Sequence, residues 1–285
     1  MSRRFLLLWI SFALALPMRA QWWNEDYDTL CPARLMVMYE LTFREDSNHL
    51  DRANTEKMML LIGDGVSFFQ SYTAYRVSKN FRQMMQNAAM VSGQGEPIRI
   101  NVASDDIAHF QYKVYKNHPS GKVIMRDHVF MAGSFLYEED YPCMTWEYTE
   151  DTATIAGYFI QKAVCNYGGR IWEAWFAPEL PFNDGPYKFC GLPGLIVKVA
   201  DTQDHYRFEM LSVEIPEETF IFWDDRDAVK TTKKAFFKMY DDNMANIIEN
   251  GTERITPADG NTNDLQYRLY YYAKTKNNPI ELDRK

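Results

Sequence analysis

The chain has 285 residues, of which 46% are hydrophobic and 25% are charged, a balance typical of a globular protein and unlike that of a disordered chain or a coiled coil. Its net charge of −8 argues against nucleic acid as a partner, because the phosphate backbone would be repelled. Aromatic residues make up 15% of the chain, which favours β-strands over helices.

The first twenty residues have the layout of a secretory signal peptide. Ser2-Arg3-Arg4 is a positive start, residues 5–17 form an apolar run, and Ala20 is the small residue after which we expect cleavage. Cleavage there removes three arginines and no acid, so the net charge falls from −8 to −11. We therefore expect an exported, periplasmic protein in which residues 21–285 form a single β-rich domain.

Runs of strand-forming residues separated by turn residues follow along most of the chain. In chain order they predict strands at 34–43, 58–62, 66–75, 107–115, 122–131, 144–149, 155–165, 170–177, 195–200, 206–215 and 267–273. Apolar residues at helical spacing predict two helices, near 80–91 and 231–250. The predicted fold class is α+β, mainly an antiparallel β meander that forms a curved sheet or an open barrel.

One short motif in the second half of the chain carries a family resemblance. It reads Gly191-Leu192-Pro193-Gly194-Leu195-Ile196 and resembles the signature of the GLPGLI family of exported proteins, found chiefly in the Bacteroidota. Three flanking segments resemble the same family: Gly157-Tyr158 with Lys162-Ala163, Arg170 with Ala174-Trp175-Phe176, and Asn278-Pro279-Ile280-Glu281-Leu282. The resemblance implies a cell-envelope setting and an association with outer-membrane transport systems, but no established activity.

The same motif, called the GLPGLI motif below, has a physical interpretation of its own. Pro193 followed by Gly194 is typical of a type II turn, in which the second central residue needs a positive φ. The apolar residues of this turn require a cover, and we predict that nearby aromatic side chains provide it. We call these side chains the aromatic set: Trp172, Trp175, Phe176, Tyr187 and Phe189. They either close one end of the sheet as part of its core or line a groove that binds a ligand.

Export makes disulfides the default for the four cysteines, because an exported chain meets an oxidising compartment. The candidates are Cys31, Cys143, Cys165 and Cys190. An extended strand between the last two would separate them too far for a bridge. Two connectivities follow: Cys31–Cys165 with Cys143–Cys190, which is slightly favoured, or Cys31–Cys190 with Cys143–Cys165.

Few residues indicate catalysis, and no common catalytic or nucleotide-binding motif is present. Glu173 and Asp184 are a candidate carboxylate pair for glycan hydrolysis. His109, His118 and His128 are a candidate zinc site, although strand alternation does not force them together. We predict no metal and no cofactor.

The leading functional prediction is a soluble periplasmic accessory or binding protein without catalytic activity, whose partner is an outer-membrane protein or an apolar, glycan or peptide ligand. One alternative is a hydrolase of envelope glycans or peptides. The other is a docking subunit of an outer-membrane complex, which would use the apolar stripe of the predicted helix near 231–250. That stripe consists of Phe236, Phe237, Tyr240, Met244, Ile247 and Ile248.

Overall fold

A computed structural model describes residues 28–91, 108–142, 144–155, 157–252 and 265–284. The predicted signal peptide and Cys143 lie outside the described residues. The described part of the chain forms fourteen strands and three helices. None of these helices is long and apolar enough to cross a membrane.

Most of the strands form one antiparallel sheet. The strands are β1 (Asp28–Pro32), β2 (Leu35–Phe43), β3 (Asn54–Ile62), β4 (Ser67–Ser71), β5 (Lys113–Lys116), β6 (Lys122–Val129), β7 (Gly133–Asp140), β8 (Glu147–Ile155), β9 (Tyr158–Tyr167), β10 (Arg170–Ala177), β11 (Leu195–Asp201), β12 (Tyr206–Glu214), β13 (Phe220–Trp223) and β14 (Ala228–Lys230). The helices are α1 (Tyr72–Val91), α2 (Lys233–Thr252) and α3 (Leu265–Thr275).

The large sheet consists of two meanders joined side by side. Its twelve strands run in the order β14-β7-β6-β5-β4-β3-β2-β12-β11-β10-β9-β8, while β1 and β13 form a separate ribbon. The two meanders meet where β2 pairs with β12, from Tyr206 opposite Phe43 to Glu214 opposite Met36. All pairs are antiparallel except β14 with β7. The predicted curved antiparallel sheet of an α+β protein is confirmed.

Both faces of the sheet are buried along β3, which explains why this strand is almost continuously apolar. Met58, Leu60 and Ile62 point to the larger apolar cluster, and we call this side the inner face. Met59 and Leu61 point to a second cluster on the outer face. Helix α2 packs on the inner face, whereas helix α1 and the β1–β13 ribbon pack on the outer face.

The main errors of the sequence prediction concern helices. The segment predicted as a strand at 267–273 is the middle of helix α3, because its apolar contacts recur at helical spacing: Leu269 and Tyr272 face a pocket and Ala273 is buried. Helix α1 begins at Tyr72, inside a predicted strand and well before residue 80. Strand β5 begins only at Lys113, so residues 108–112 are not part of the sheet.

The GLPGLI motif does not form the predicted type II turn. Gly194 lies outside the positive-φ region, and its N–H donates to the carbonyl of Leu192 at 2.8 Å. The positive φ, +90°, belongs to Gly191. Gly194 is required for a different reason: a Cβ atom there would lie 2.3 Å from the carbonyl oxygen of Ala177. The motif therefore crosses directly over the end of β10, at a distance that only glycine permits.

Neither predicted disulfide connectivity is present, because no disulfide joins the three described cysteines to one another. Both connectivities need a bridge from Cys31, which packs with the outer-face cluster. Cys165 belongs to the inner-face cluster, so the sheet lies between the two. Cys190 is fully buried beside the GLPGLI motif. The pairings of Cys143 lie outside the described residues.

Candidate functional site

The side chains of the aromatic set pack in or against the hydrophobic core. Trp172, Phe176 and Phe189 are completely buried on the inner face, and the rings of Trp172 and Phe189 meet edge to face at 4.7 Å. Trp175 points to the outer face, where Lys162 lies over its ring. Tyr187 alone also lines the pocket described below. Burial of three large aromatic side chains stabilises the fold by about 2 kcal/mol or more each.

The carboxylates of the hydrolase hypothesis belong to separate ion pairs. Glu173 lies 3.0 Å from Lys162. Asp184 is buried against Lys116, whose ammonium also donates to the carbonyl of Gly185 at 2.5 Å. Neither carboxylate lines the pocket described below, and each is held in an ion pair of its own.

The three histidines of the zinc hypothesis do not converge either. His118 packs against Trp223, whose ring contacts Tyr115 of the outer-face cluster. His109 and His128 both line the pocket described below, but within the described ranges no group of three potential metal ligands comes together.

The apolar stripe of α2 faces the protein itself, and its residues are buried or half-buried. Phe236 packs against Tyr137 of β7 with ring centroids 5.3 Å apart, and Phe237 lies 5.9 Å from the same ring. Tyr240 and Met244 line the pocket between this helix and the sheet. The remaining stripe residues, Ile247 and Ile248, are half-buried.

A buried ring of four charges joins the loop before the GLPGLI motif to the C-terminal segment 276–284. Lys188 contacts Glu139 and lies 2.6 Å from Glu281. Lys233 closes the ring at 2.6 Å from Glu139 and 2.7 Å from Glu281. Tyr187 donates a hydrogen bond to Glu281 at 2.5 Å. The ring thus ties together four parts of the chain: β7, the loop, the start of α2 and the C-terminal segment.

The pKa values of Glu281 and Lys188 depend on their neighbours in the ring. Burial alone would raise the pKa of Glu281, but the ammonium groups of Lys188 and Lys233 hold it below its ordinary value. Burial would likewise lower the pKa of Lys188, but Glu281 raises it. Glu281 and Lys188 are therefore both charged, and each stabilises the charge of the other.

A second clamp holds the C-terminal segment through Arg170. Its guanidinium is buried, lies 3.0 Å from Asp201 and donates to the side chain of Asn278 at 2.6 Å. It also donates to the carbonyl groups of Pro279 and Ile280 at 2.7 and 3.0 Å. Segments that carry the family resemblance, Arg170 and residues 278–282, thus meet in space, which fixes one wall of the pocket.

A cavity lies between the inner face of the sheet and helices α2 and α3. Its volume is about 550 Å³, and nine of its lining residues are Phe or Tyr. Tyr112 comes from the segment before β5, Phe237 and Tyr240 from α2, Tyr272 from α3, and Tyr187 from the loop that carries Lys188. Pockets of roughly 300–1,000 Å³ with apolar walls are the usual sites for small ligands.

Three carboxylates line the pocket, those of Glu45, Asp127 and Glu281, and the one on the sheet is Asp127. Strand β6 directs Val123, Met125 and Val129 to the inner face, and Asp127 occupies the intervening position, where an apolar residue would be expected. One carboxylate oxygen accepts the N–H of His128 at 2.7 Å. Burial among apolar neighbours raises the pKa of Asp127 to about 6.

The hydroxyl of Tyr112 is the second unusual polar group of the pocket. The side chain is only 4% exposed, and its oxygen has no hydrogen-bond partner among the described residues. Burial raises the pKa of Tyr112 well above its ordinary value, so the hydroxyl stays protonated. Leaving such a group without a partner costs about 1–3 kcal/mol, which a bound ligand can offset.

Sequence reasoning missed most of this site. The signal for Asp127 was present, because a single acid stood among alternating apolar residues of a predicted strand. Tyr112 and the ring residues carried no comparable signal. Their pairing spans up to 94 residues of sequence, as between Tyr187 and Glu281, and depends on the tertiary fold.

Comparison with known proteins gives a short family match. The model of a protein family of unknown function, Porph_ging, matches residues 167–198, a segment that contains β10 and the GLPGLI motif. No curated protein matches the chain. Two solved structures of PNGF-II, in different space groups, are similar at 12% identity and a TM-score of 0.48, covering 74% of this chain and 33% of theirs. The chain thus spans about a third of the length of those solved chains.

Proposed function

We propose that this chain is an exported binding protein of the cell envelope, which holds a small organic ligand in the pocket between its sheet and its C-terminal helices. The observation that carries the proposal is the pocket itself, with its aromatic walls and the hydroxyl of Tyr112, which has no hydrogen-bond partner among the described residues. The signal-peptide pattern of residues 1–20 supports export, and the motif with its flanks supports membership of the GLPGLI family. Binding without catalysis is the simplest role for these features.

Polar contacts hold the walls of this pocket in place, whereas a packing defect has no such support. The ion-pair ring and the Arg170 clamp fix the C-terminal segment that forms one wall. Helix α2 is tied to the sheet through Lys233 and through Phe236. A cavity whose walls are fixed in this way keeps its volume without a ligand, and so a ligand binds with little reorganisation.

The neutral fluorophore N-phenyl-1-naphthylamine, whose emission rises in apolar surroundings, tests the proposal. We expect saturable binding of one molecule per chain. Ala108→Trp, which places an indole in the pocket wall, should weaken this binding at least tenfold, because it removes volume from the cavity. Fluorescence titration measures both.

The matched control is Leu211→Trp, which adds an indole on the exposed surface of β12, away from the pocket. It should bind the fluorophore as the natural chain does. Thermal melts establish that both variants are folded. Absence of binding, or equal binding by folded Ala108→Trp, would contradict the proposal.

A further inference from the structure

The charged side chains of the pocket wall are paired with opposite charges, except at one position. Glu45 lies 2.6 Å from Lys276, and Arg284 is paired with Asp241. Glu281 belongs to the buried ring. Asp127, by contrast, has no lysine or arginine nitrogen within 4 Å in the part of the chain that the structure describes. The pocket wall therefore carries one carboxylate without a direct ion pair, on which Lys276, Arg126 and Lys188 act only from farther away.

The surroundings of this carboxylate are aromatic. Phe110 and Tyr112 come from the segment before β5, Phe236 and Tyr240 from α2, and Tyr272 from α3. The faces of Phe and Tyr rings carry negative electrostatic potential and attract cations, by about 0.5–2 kcal/mol at each well-placed ring. Such rings beside one unpaired carboxylate attract a positive charge and disfavour a negative one.

From this arrangement we infer that the pocket selects an organic cation, an amine or ammonium group on an apolar or aromatic body, with Asp127 as its counter-ion and the hydroxyl of Tyr112 as a further hydrogen-bond partner. This inference rests on the proposed binding function and names its ligand class. The second carboxylate oxygen of Asp127 accepts the N–H of the ligand, while the first keeps its bond to the backbone of His128. The Tyr112 oxygen accepts another N–H, which gives this buried group a partner.

Three indoles of equal size but different charge separate this inference from the proposed function: tryptamine, neutral tryptophol and indole-3-acetate. Titration calorimetry of the full chain at pH 8 should give a dissociation constant for tryptamine at least tenfold below that of tryptophol, with indole-3-acetate the weakest. Asp127→Asn should remove the preference for tryptamine over tryptophol. Asp242→Asn, which removes an exposed charge of α2, should retain it.

The pH dependence gives a second readout. Tryptamine should bind more weakly as the pH falls through about 6, because Asp127 then becomes protonated. The other ionisable groups that act on Asp127 or line the pocket with it are Glu45, Glu281, Arg126, Lys188, Lys276, Arg284, His109, His128, Tyr112, Tyr187, Tyr206, Tyr240 and Tyr272. If protonation of a histidine weakened binding, Asp127→Asn would still lose affinity for tryptamine as the pH falls. We expect instead that the affinity of Asp127→Asn for tryptamine does not change with pH in this range.

The outcomes are distinct. Equal affinity for tryptamine and tryptophol, or fluorophore binding without tryptamine binding, would overturn the cation preference and leave the pocket function standing. Failure of the fluorophore and of all three indoles would overturn both. A preference for tryptamine that survives in folded Asp127→Asn would overturn the assignment of this carboxylate.

Discussion

Replacement of Lys188 by methionine is expected to lower the free energy of unfolding by about 3–5 kcal/mol. The ammonium is completely buried and contacts both Glu139 and Glu281. Without it, two buried carboxylates share the single cation of Lys233, which leaves one negative charge uncompensated in a poorly solvated place. Urea-induced unfolding at pH 7 measures the change.

The control is Lys238→Met, which removes an exposed lysine paired with Asp242 one turn away on α2 and should cost about 0.5 kcal/mol or less. Combining Lys188→Met with Glu281→Gln should recover part of the loss, because the charges then balance again. A loss for Lys188→Met no larger than that of the control would contradict the description of the ring.

The ring also determines how stability depends on pH. The folded-state pKa of Glu281 lies below its ordinary value, so its contribution is present above the unfolded pKa of about 4.3 and is lost as the pH falls below that value. In Lys188→Met this acid-side loss should be smaller, since the carboxylate has lost one of its two cations.

Gly194→Ala is expected to have the second-largest effect, about 3 kcal/mol of destabilisation. The added methyl group would lie 2.3 Å from the carbonyl oxygen and 2.6 Å from the carbonyl carbon of Ala177. Both are backbone atoms at the end of β10, so β10 or the GLPGLI motif would have to move. Thermal and urea-induced unfolding of the variant measures the cost.

Gly65→Ala is the matched comparison, because it adds the same methyl group at a positive φ of 72° but with no atom within 4 Å. It should cost about 1 kcal/mol, the ordinary penalty for a left-handed conformation. A Gly194→Ala variant as stable as Gly65→Ala would show that the close backbone crossing is absent.

The sequence alone predicted those strands and helices whose local residue pattern agrees with their packing in the folded protein. Strand β10 was predicted at its observed bounds, because strand-forming residues end there at a turn on each side. Helix α3 was missed because its tyrosines have high strand propensity and only their packing against α2 and the pocket reveals the helical period. The conformation of the GLPGLI motif was predicted wrongly because it depends on the close crossing over Ala177. That crossing cannot be inferred from the local sequence.

The site was harder to predict than the fold because its residues come from distant parts of the chain. Asp127, Tyr112 and Tyr272 meet only after the sheet has formed and the C-terminal helices have packed on it. The aromatic residues next to the motif drew attention by proximity in sequence. Trp172, Phe176 and Phe189 stabilise the inner core, while the open pocket lies farther along the same face.

Methyl NMR of the chain, with its fifteen methionines labelled, tests the central claim most directly. Met125 and Met244 line the pocket from the sheet and from α2, whereas Met59 is fully buried on the outer face. Adding N-phenyl-1-naphthylamine should shift the signals of Met125 and Met244 and leave that of Met59 unchanged. Unchanged signals for both pocket methionines at saturating fluorophore would contradict the claim that this pocket is the binding site.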